Sequence, residues 1–394
     1  MRIIGISKIN GCAAGLGFFR YSKGLIVLKC IFWVSILPMN ITIAATTRYQ
    51  FDSWFGLATP AKSSAYRLLL VLLLALIFGP ASGQQGRNGA SEGAPLQKTP
   101  PWAYPVLPST APPAFVDDGI KHQLDGSKYS FTRTELIDLF TAHDWFPGAH
   151  PEMPEVVVHG RKPEVRACGM CHYPNGQGRP ENAALAGLPA SYIVQQVHDY
   201  QAGHRRSSEA QTGPHLRMLA AAVNLSEDEL KAAAEYFSSQ KYKPWIKVIE
   251  TDQVPLTRVA TGSMWAAIPG DAKEPIGNRI VEVPNDYSLT ELRDPRSGFT
   301  AYVPIGSINR GQKIATIGNG KTNACIACHG ADLRGTDAIP PLAGRSTQYL
   351  FRQLYDMRNG SRSGAGAVAM RDVVANLSLD DMTAVVAYAA SLEP

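Results

Sequence analysis

The sequence predicts a mainly α-helical protein with two tandem helical domains of one design, joined by an irregular and partly extended connector. An internal repeat is the first reason, because residues 167–203 align with residues 324–360 without a gap and share 12 identities in 37 positions. Each copy also ends in a segment with apolar residues at helical spacing. Between the copies, residues 244–304 are rich in proline and have no counterpart in either copy.

Two helices in each copy are predicted from spacing and end signals. Residues 192–203 and 349–360 carry helical spacing and end at a glycine, which suits the position just after a helix C-terminus. Further on, Ser226 and Glu229 form a capping box, and the second copy has a weaker version that begins at Ser378. Each box therefore predicts the start of a last helix.

The first 83 residues explain the positive net charge. The chain has 38 Lys and Arg against 33 Asp and Glu, but from Gln84 onward the counts are 30 and 32. A basic surface for nucleic acid is therefore not indicated.

Residues 68–78 form an uninterrupted apolar run after Lys62 and Arg67, and small residues follow it. This pattern predicts a secretory signal cut near Gly83, with an uncleaved membrane anchor as the alternative.

Five segments are expected along the chain. They are a leader with signal peptide or anchor (1–83), a Pro- and Gly-rich solvated linker (84–115), the first helical domain (116–243), the connector (244–304) and the second helical domain (305–394). Within the connector, Ile246–Ile249 and Arg279–Val283 are predicted to be extended. We interpret the connector as a segment that wraps the domains, with a partner surface as a further hypothesis.

Two Cys-x-x-Cys-His runs, RACGMCHYP at 166–174 and NACIACHGA at 323–331, occupy the same place in the two copies. A structural zinc site commonly spaces its cysteine pairs by about 12 to 20 residues, whereas these pairs lie 154 residues apart. A thiol redox pair needs a βαβ context and leaves the adjacent histidine unexplained. Covalent haem accounts for all three residues, since two thiols bind the porphyrin edge and the histidine binds the iron.

The predicted cofactors are therefore two haem c groups. Thioether attachments are expected at Cys168, Cys171, Cys325 and Cys328, with His172 and His329 as the proximal iron ligands. Met218 and Met370 share one repeat position and are predicted to be the second axial ligands. His215 is an alternative ligand, because it lies three residues before Met218. Met170, Met264 and Met357 lack this pattern and are expected to serve in packing.

With these residues, the sequence resembles the two-domain dihaem class I c-type cytochromes over about residues 116–243 and 305–394. In that family a proline of a Pro-x-Leu-x-Gly segment offers its carbonyl to the proximal histidine, and the second copy matches at Pro340 in IPPLAG. The first copy reads NAALAG, with Ala183 in that place. It keeps a backbone carbonyl but lacks the rigidity of a proline.

The resemblance implies a periplasmic protein that carries single electrons between redox partners, with no catalytic group of its own. Implied partners are redox donors and acceptors such as a periplasmic or membrane dehydrogenase or a terminal oxidase. A catalytic dihaem enzyme, of the peroxidase or sulfur-compound dehydrogenase type, is one alternative that His215 keeps open. An electron-accepting subunit of a dehydrogenase complex is another. Anchoring to the cytoplasmic membrane through the N-terminal apolar segment is the alternative to free export.

Other polar residues receive weaker predictions. His143, His150 and His159 are expected in a solvated loop before the first run. Five arginines are candidates for pairing with haem propionates or for surface salt links: Arg205, Arg206, Arg345, Arg358 and Arg362.

Overall fold

The computed structural model describes residues 99–108 and 117–394, together with the backbone of four N-terminal strands. The strands are β1 Ser7–Ile9, β2 Cys12–Arg20, β3 Ile26–Ile36 and β4 Met39–Thr47. They pair in sequence order as an antiparallel sheet within a first compact unit, Met1–Gly89. The predicted signal run at 68–78 lies outside the described residues.

The second compact unit, Ala90–Pro394, contains both repeats. The helices of the first repeat are α1 Arg133–Leu136, α2 Glu155–Val158, α3 Cys168–His172, α4 Ala190–Gln201, α5 Gly213–Ala222 and α6 Glu227–Ser239. The predicted capping box is confirmed, because the Ser226 hydroxyl accepts from the Glu229 amide at 3.3 Å and the Glu229 carboxylate accepts from the Ser226 amide at 2.9 Å. Helix α6 therefore starts where the sequence predicts.

The connector is built from short strands and one short helix. They are β5 Ile246–Glu250, β6 Gln253–Pro255, β7 Thr257–Ala260, β8 Met264–Ala267, β9 Lys273–Pro275, β10 Val281–Pro284, α7 Tyr287–Glu291 and β11 Phe299–Val303. Strand β11 pairs antiparallel with β10 and parallel with β5, while β6 pairs with β9 and β7 with β8. The two predicted extended pieces correspond to β5 and β10, so that prediction is confirmed.

The second repeat has a longer first helix than the first repeat. Its helices are α8 Ser307–Ile317, α9 Ile326–His329, α10 Thr347–Arg358, α11 Val368–Ala375 and α12 Leu379–Ser391. At the positions equivalent to α8, the first repeat has only the four-residue α2 as an α-helix.

Helix α8 crosses α12 at Gly311, where a Cβ atom would collide with the Ala384 carbonyl. Close contact of the two backbones therefore requires glycine at this position.

Helices α10 and α12 supply much of the second repeat's core. Phe351, Tyr355 and Met382 are fully buried there. Within the described ranges, no single helix has both the length and the apolar character to cross a bilayer. Only Ala365–Ala375 and Leu379–Ser391, bent by 117° relative to each other, reach that length and composition as a pair.

The expectation of a solvated linker is wrong for residues 102–105. Tyr104 is 3% exposed and donates its hydroxyl to Asp356 Oδ1 at 2.6 Å. The Trp102 ring lies 4.4 Å from that of Phe351, and its carbonyl accepts from Trp265 Nε1 at 2.8 Å. The cause is the aromatic content of this stretch, because each ring removes a large apolar area from water when it packs on α10.

Replacing Gly311 by alanine tests the crossing of α8 and α12. We expect the free energy of unfolding to fall by about 1–3 kcal/mol, because the added methyl group must displace the Ala384 carbonyl. Denaturant unfolding followed by circular dichroism measures the change. Gly366→Ala in the same repeat is the matched control, since its added Cβ meets nothing within 4 Å. Equal losses in the two variants would contradict the account.

Candidate functional site

Helix α3 holds the first Cys-x-x-Cys-His run. Cys168 begins the helix and His172 ends it, so both thiols and the imidazole come from little more than one turn. The Nδ1 atom of His172 lies 2.7 Å from the Ala183 carbonyl oxygen. An Nδ1–H that donates to this carbonyl fixes the ring and leaves the Nε2 lone pair available for a metal. Burial lowers the pKa of His172, although the Ala183 carbonyl acts in the opposite direction, so the neutral ring is favoured.

The second run repeats this geometry. The Nδ1 atom of His329 lies 2.9 Å from the Pro340 carbonyl oxygen, and burial lowers the pKa of this histidine too. Both carbonyls were expected from the sequence, at Ala183 and at Pro340, and both contacts are confirmed. Each repeat therefore holds one imidazole by the same backbone contact, with or without proline at that position.

A cavity of about 470 Å³ in the first repeat brings the predicted site residues together. Cys168, Cys171, His172 and Met218 all line it. Helices α4 and α6 supply apolar walls, which include Ile193, Val197, Leu230 and Phe237. Burial raises the pKa of the Cys168 thiol to about 12. Two thiols, an imidazole with a free nitrogen and a thioether in one apolar cavity fit a covalently attached haem.

Met218 and the alternative ligand His215 lie on the same short helix, α5, and both border this cavity. Met218 packs beside Val197, Ala222 and Leu230. The His215 ring instead lies against the Tyr200 ring, with centroids 5.7 Å apart, and burial lowers the pKa of His215. Both candidates therefore border the cavity, Met218 within an apolar cluster and His215 against an aromatic ring.

In the second repeat, the predicted residues border the core of α10 and α12. Cys325 and Met370 are half-buried against the same apolar cluster, and His329 is buried nearby. The Thr322 hydroxyl donates to the Val373 carbonyl at 2.6 Å, which joins the segment before Cys325 to helix α11. This hydrogen bond therefore links the segment before the second cysteine run to the helix that carries Met370.

Segments outside the repeat cover the first site. The first cavity is also lined by Ile137 and Leu139 from the segment before α3, and by Gly262, Met264, Tyr287 and Arg293 from the connector. The two covering segments are joined, since Trp145 Nε1 donates to the Leu292 carbonyl at 2.8 Å. In the second run, by contrast, Cys328 is exposed, whereas Cys171 is half-buried. The two sites therefore differ in access from solvent.

The two repeats meet through equivalent polar residues, which we call the seam: Tyr192, Gln196 and Arg205, with Tyr349, Gln353 and Arg362. Arg205 is 8% exposed, and its guanidinium donates to the Tyr349 hydroxyl at 2.8 Å and to Gln353 Oε1 at 3.2 Å. It also donates to Gln196 Oε1 of its own repeat at 2.9 Å. Because its hydrogen bonds go to both repeats, Arg205 fixes one repeat against the other.

Arg362 makes the mirror set of contacts. It donates to the Tyr192 hydroxyl at 2.8 Å, to Gln196 Oε1 at 2.7 Å and to Gln353 Oε1 at 3.1 Å. The backbone follows the same pattern, since Arg205 and Arg362 form an antiparallel bridge. The seam is therefore a pseudo-twofold interface, in which the same residues of each repeat face each other.

The surface alternative is wrong for three arginines, and the solvated loop is wrong for His150. Arg205, Arg345 and Arg362 are not in surface salt links, because each is buried and donates to the other repeat. Their pairing with haem propionates stays a prediction. His150 is not solvated, because its Nε2 lies 2.8 Å from Asp144 Oδ2 and its Nδ1 lies 3.0 Å from the Tyr236 hydroxyl. Sequence reasoning also missed the seam itself. Its tyrosines and glutamines were visible as identities between the copies, but a preserved position does not by itself reveal a contact between copies.

Comparisons with known proteins agree with this geometry. The cytochrome c family model matches residues 158–241 and 309–393. Cytochrome c4 from Pseudomonas aeruginosa is 37% identical over 229 residues, which is 57% of this chain and 83% of that protein. The thiosulfate dehydrogenase electron acceptor of Stutzerimonas stutzeri is 27% identical over 236 residues, 59% of this chain and 82% of that protein.

A similarity to solved structures is also found. The crystal structure of reduced recombinant cytochrome c4 from Pseudomonas stutzeri covers 57% of this chain and 93% of its own, with 25% identity and a TM-score of 0.38. The regions matched by the family model contain both Cys-x-x-Cys-His runs, both axial methionine candidates and both last helices.

Replacing Met218 by alanine tests its predicted role as an axial ligand. We expect the sulfur-to-iron absorption band of the oxidised protein to fall by about half, because one of two thioether ligands is lost. Met170→Ala is the matched control, since Met170 lies beside Cys171 but is predicted only to pack. An unchanged band in Met218→Ala would contradict the assignment, because it would mean that the Met218 sulfur is not bound to iron.

Proposed function

Because the chain belongs to the cytochrome c family and carries two covalently bound haem c groups, we propose that it passes single electrons between redox proteins in the periplasm. Haem c supplies a reversible one-electron couple when bound. The thioether attachments are Cys168 and Cys171 in the first domain, over 116–243, and Cys325 and Cys328 in the second, over 305–394. The connector at 244–304 joins the two domains.

One observation carries this proposal: each repeat pairs a carbonyl-fixed imidazole with a methionine at the same repeat position. We assign His172 with Met218 to the first iron and His329 with Met370 to the second. An iron with two strong axial ligands has no open position for oxygen or peroxide, and a thioether raises its potential by favouring the ferrous state. Such a pair of sites suits electron transfer rather than catalysis.

The seam supports electron passage between the two domains. Arg205, Tyr349 and Gln353 belong to the seam and also line the first cavity. The same contacts therefore hold the first site and the second repeat together within one compact unit. A fixed relative position of the two sites is what repeated electron transfer between them requires.

Export to the periplasm is the localisation that we propose. The apolar run at 68–78 after Lys62 and Arg67 has the form of a signal peptide. Apart from the four cysteines of the two runs, the part after Gly83 contains no cysteine, so the thiols there are all used for haem. Attachment of haem c outside the cytoplasmic membrane agrees with this location.

A second candidate function is that of an electron acceptor for a dehydrogenase. The observation in its favour is the relative named thiosulfate dehydrogenase electron acceptor, which is similar over both repeats. In that case the redox partner is a dehydrogenase that stays bound to this chain, whereas a free carrier meets its partners through small and transient interfaces. Purification from the native host at low salt tests this version, because a stable complex with a dehydrogenase would favour it over a free carrier.

A redox titration of the holoprotein tests the proposed function. We expect the visible spectrum to report two reversible one-electron steps, and the oxidised protein to leave hydrogen peroxide unconsumed, because neither iron has an open position. Heat-treated protein with haem still attached is the control for peroxide loss catalysed by exposed haem. Rapid peroxide turnover by the folded protein alone, or failure to cycle reversibly, would contradict the carrier and favour the catalytic alternative.

A further inference from the structure

The loop that holds the first proximal histidine lacks the residue that stiffens its counterpart. In the second repeat, Pro340 supplies the carbonyl to His329, and its ring restricts the backbone φ angle. In the first repeat, Ala183 supplies the carbonyl to His172 and has no such restriction. The two hydrogen bonds are nevertheless of similar length, 2.7 and 2.9 Å. Another interaction must therefore hold the loop around Ala183.

The backbone hydrogen bonds within the two loops are matched, so they do not replace the restraint of a proline. Gly178 N donates to the His172 carbonyl at 3.0 Å, and in the second repeat Gly335 N donates to the His329 carbonyl at 2.7 Å. The next link is also matched, since Leu185 bonds back to Gly176 as its counterpart in the second repeat does. The two loops thus share one backbone framework. The first loop adds a single side-chain bond, from Asn182 Nδ2 to the Cys171 carbonyl at 3.1 Å, which its counterpart Ile339 cannot make.

Two arginines of the second repeat reach across to the first loop. Arg345 donates from Nη1 to the Ala184 carbonyl at 2.7 Å and from Nη2 to the Ala186 carbonyl at 2.9 Å. Arg352 donates to the Pro180 carbonyl. These three carbonyls lie on both sides of Ala183. Hydrogen bonds from a charged donor are roughly twice as strong as neutral ones, so the loop is held by strong contacts.

The arginines are themselves fixed. Arg345 is 5% exposed, and its guanidinium lies over the Tyr242 ring at 4.5 Å. Arg352 is 9% exposed and also donates to the Ala103 carbonyl at 3.0 Å. Because neither side chain is free to move into solvent, each presents its donors to the loop at a fixed position.

Arginine donors reach from the second repeat to the first loop, and the first repeat has no equivalent arginines. The first-repeat equivalents of Arg345 and Arg352 are Leu188 and Gln195. Leu188 has no donor, and the Gln195 amide is bonded to Asp199 of its own helix at 2.9 Å. From the first domain, the loop with proline receives one neutral donor, the Tyr242 hydroxyl, which lies 3.1 Å from the Gly344 carbonyl oxygen. The loop without proline receives two arginines.

We propose that Arg345, assisted by Arg352, is a positioning residue for the proximal ligand of the first haem, in place of the missing proline. The second repeat thereby sets the hydrogen bond between His172 and Ala183. A ligating histidine that donates firmly to a carbonyl is a more basic ligand. Loosening the loop weakens this bond, makes the imidazole a poorer electron donor to ferric iron and raises the potential of the first haem.

Arg345→Met is the test, because methionine fills similar space without a donor. We expect faster amide hydrogen exchange in residues 178–187 and faster exchange of the His172 ring proton. We also expect an upward shift in the potential of the first haem alone, with the haems assigned by NMR; a tenfold change in a one-electron equilibrium corresponds to about 59 mV. Arg334→Met is the matched control, since Arg334 lies in the second loop with its side chain 54% exposed.

Restoring the proline separates positioning from general destabilisation. Ala183→Pro added to Arg345→Met should return loop exchange and the first potential toward the wild-type values, since the ring replaces the lost restraint. If Arg345→Met does not fold, Arg345→Lys takes its place, because lysine keeps the charge but not the fork of donors. It should show the same increase in loop exchange and the same upward shift of the first potential relative to wild type. Unchanged loop exchange in the arginine variants, equal shifts of both potentials, or no rescue by proline would overturn the proposal. The predicted shift in the first haem's potential rests on the proposed function. The predicted changes in hydrogen exchange do not, because they do not require electron transfer.

Discussion

The hydrogen bond from a histidine ring to a backbone carbonyl is the contact on which both sites depend. It sets which ring nitrogen faces the cavity and orients the imidazole before any metal binds, while burial of the ring lowers its pKa and favours the neutral form. His172 and His329 make this bond to different residues, Ala183 and Pro340, at nearly the same distance. The contact between the histidine and the carbonyl is therefore set by the backbone of the whole loop. It does not depend on which side chain the carbonyl residue carries.

The seam makes the two repeats one structural unit. Buried guanidinium groups normally carry a large desolvation cost, and here that cost is offset by several hydrogen bonds to each group. Arg205 and Arg362 each bond to residues of both repeats, so neither repeat can shift without breaking contacts of the other. Arg345 extends the same arrangement to the loop beside the first site. The interface between the repeats therefore supports the loop beside the first site and also fixes the position of one site relative to the other.

Much of this could be predicted from the sequence, because its signals are local. The capping boxes at Ser226 and Ser378, the cysteine runs and the two carbonyls that accept from the histidines all depend on residues close together in the chain. Contacts between distant segments could not be predicted in this way. Burial of Tyr104 against Asp356, the cover that the connector forms over the first site, and the guanidinium contacts at the seam join residues more than a hundred positions apart. Such pairings leave no periodic pattern in a single sequence.

The central claim is that a histidine and a methionine hold each iron, which makes both sites closed to ligands. Low-temperature electron paramagnetic resonance of the fully oxidised holoprotein tests it most directly, because ligand type and spin state determine the signal. The account predicts two low-spin signals of the histidine–methionine type, unchanged by peroxide or cyanide. A high-spin signal, or a bis-histidine signal from one haem, would contradict it and would point to His215 in the first site.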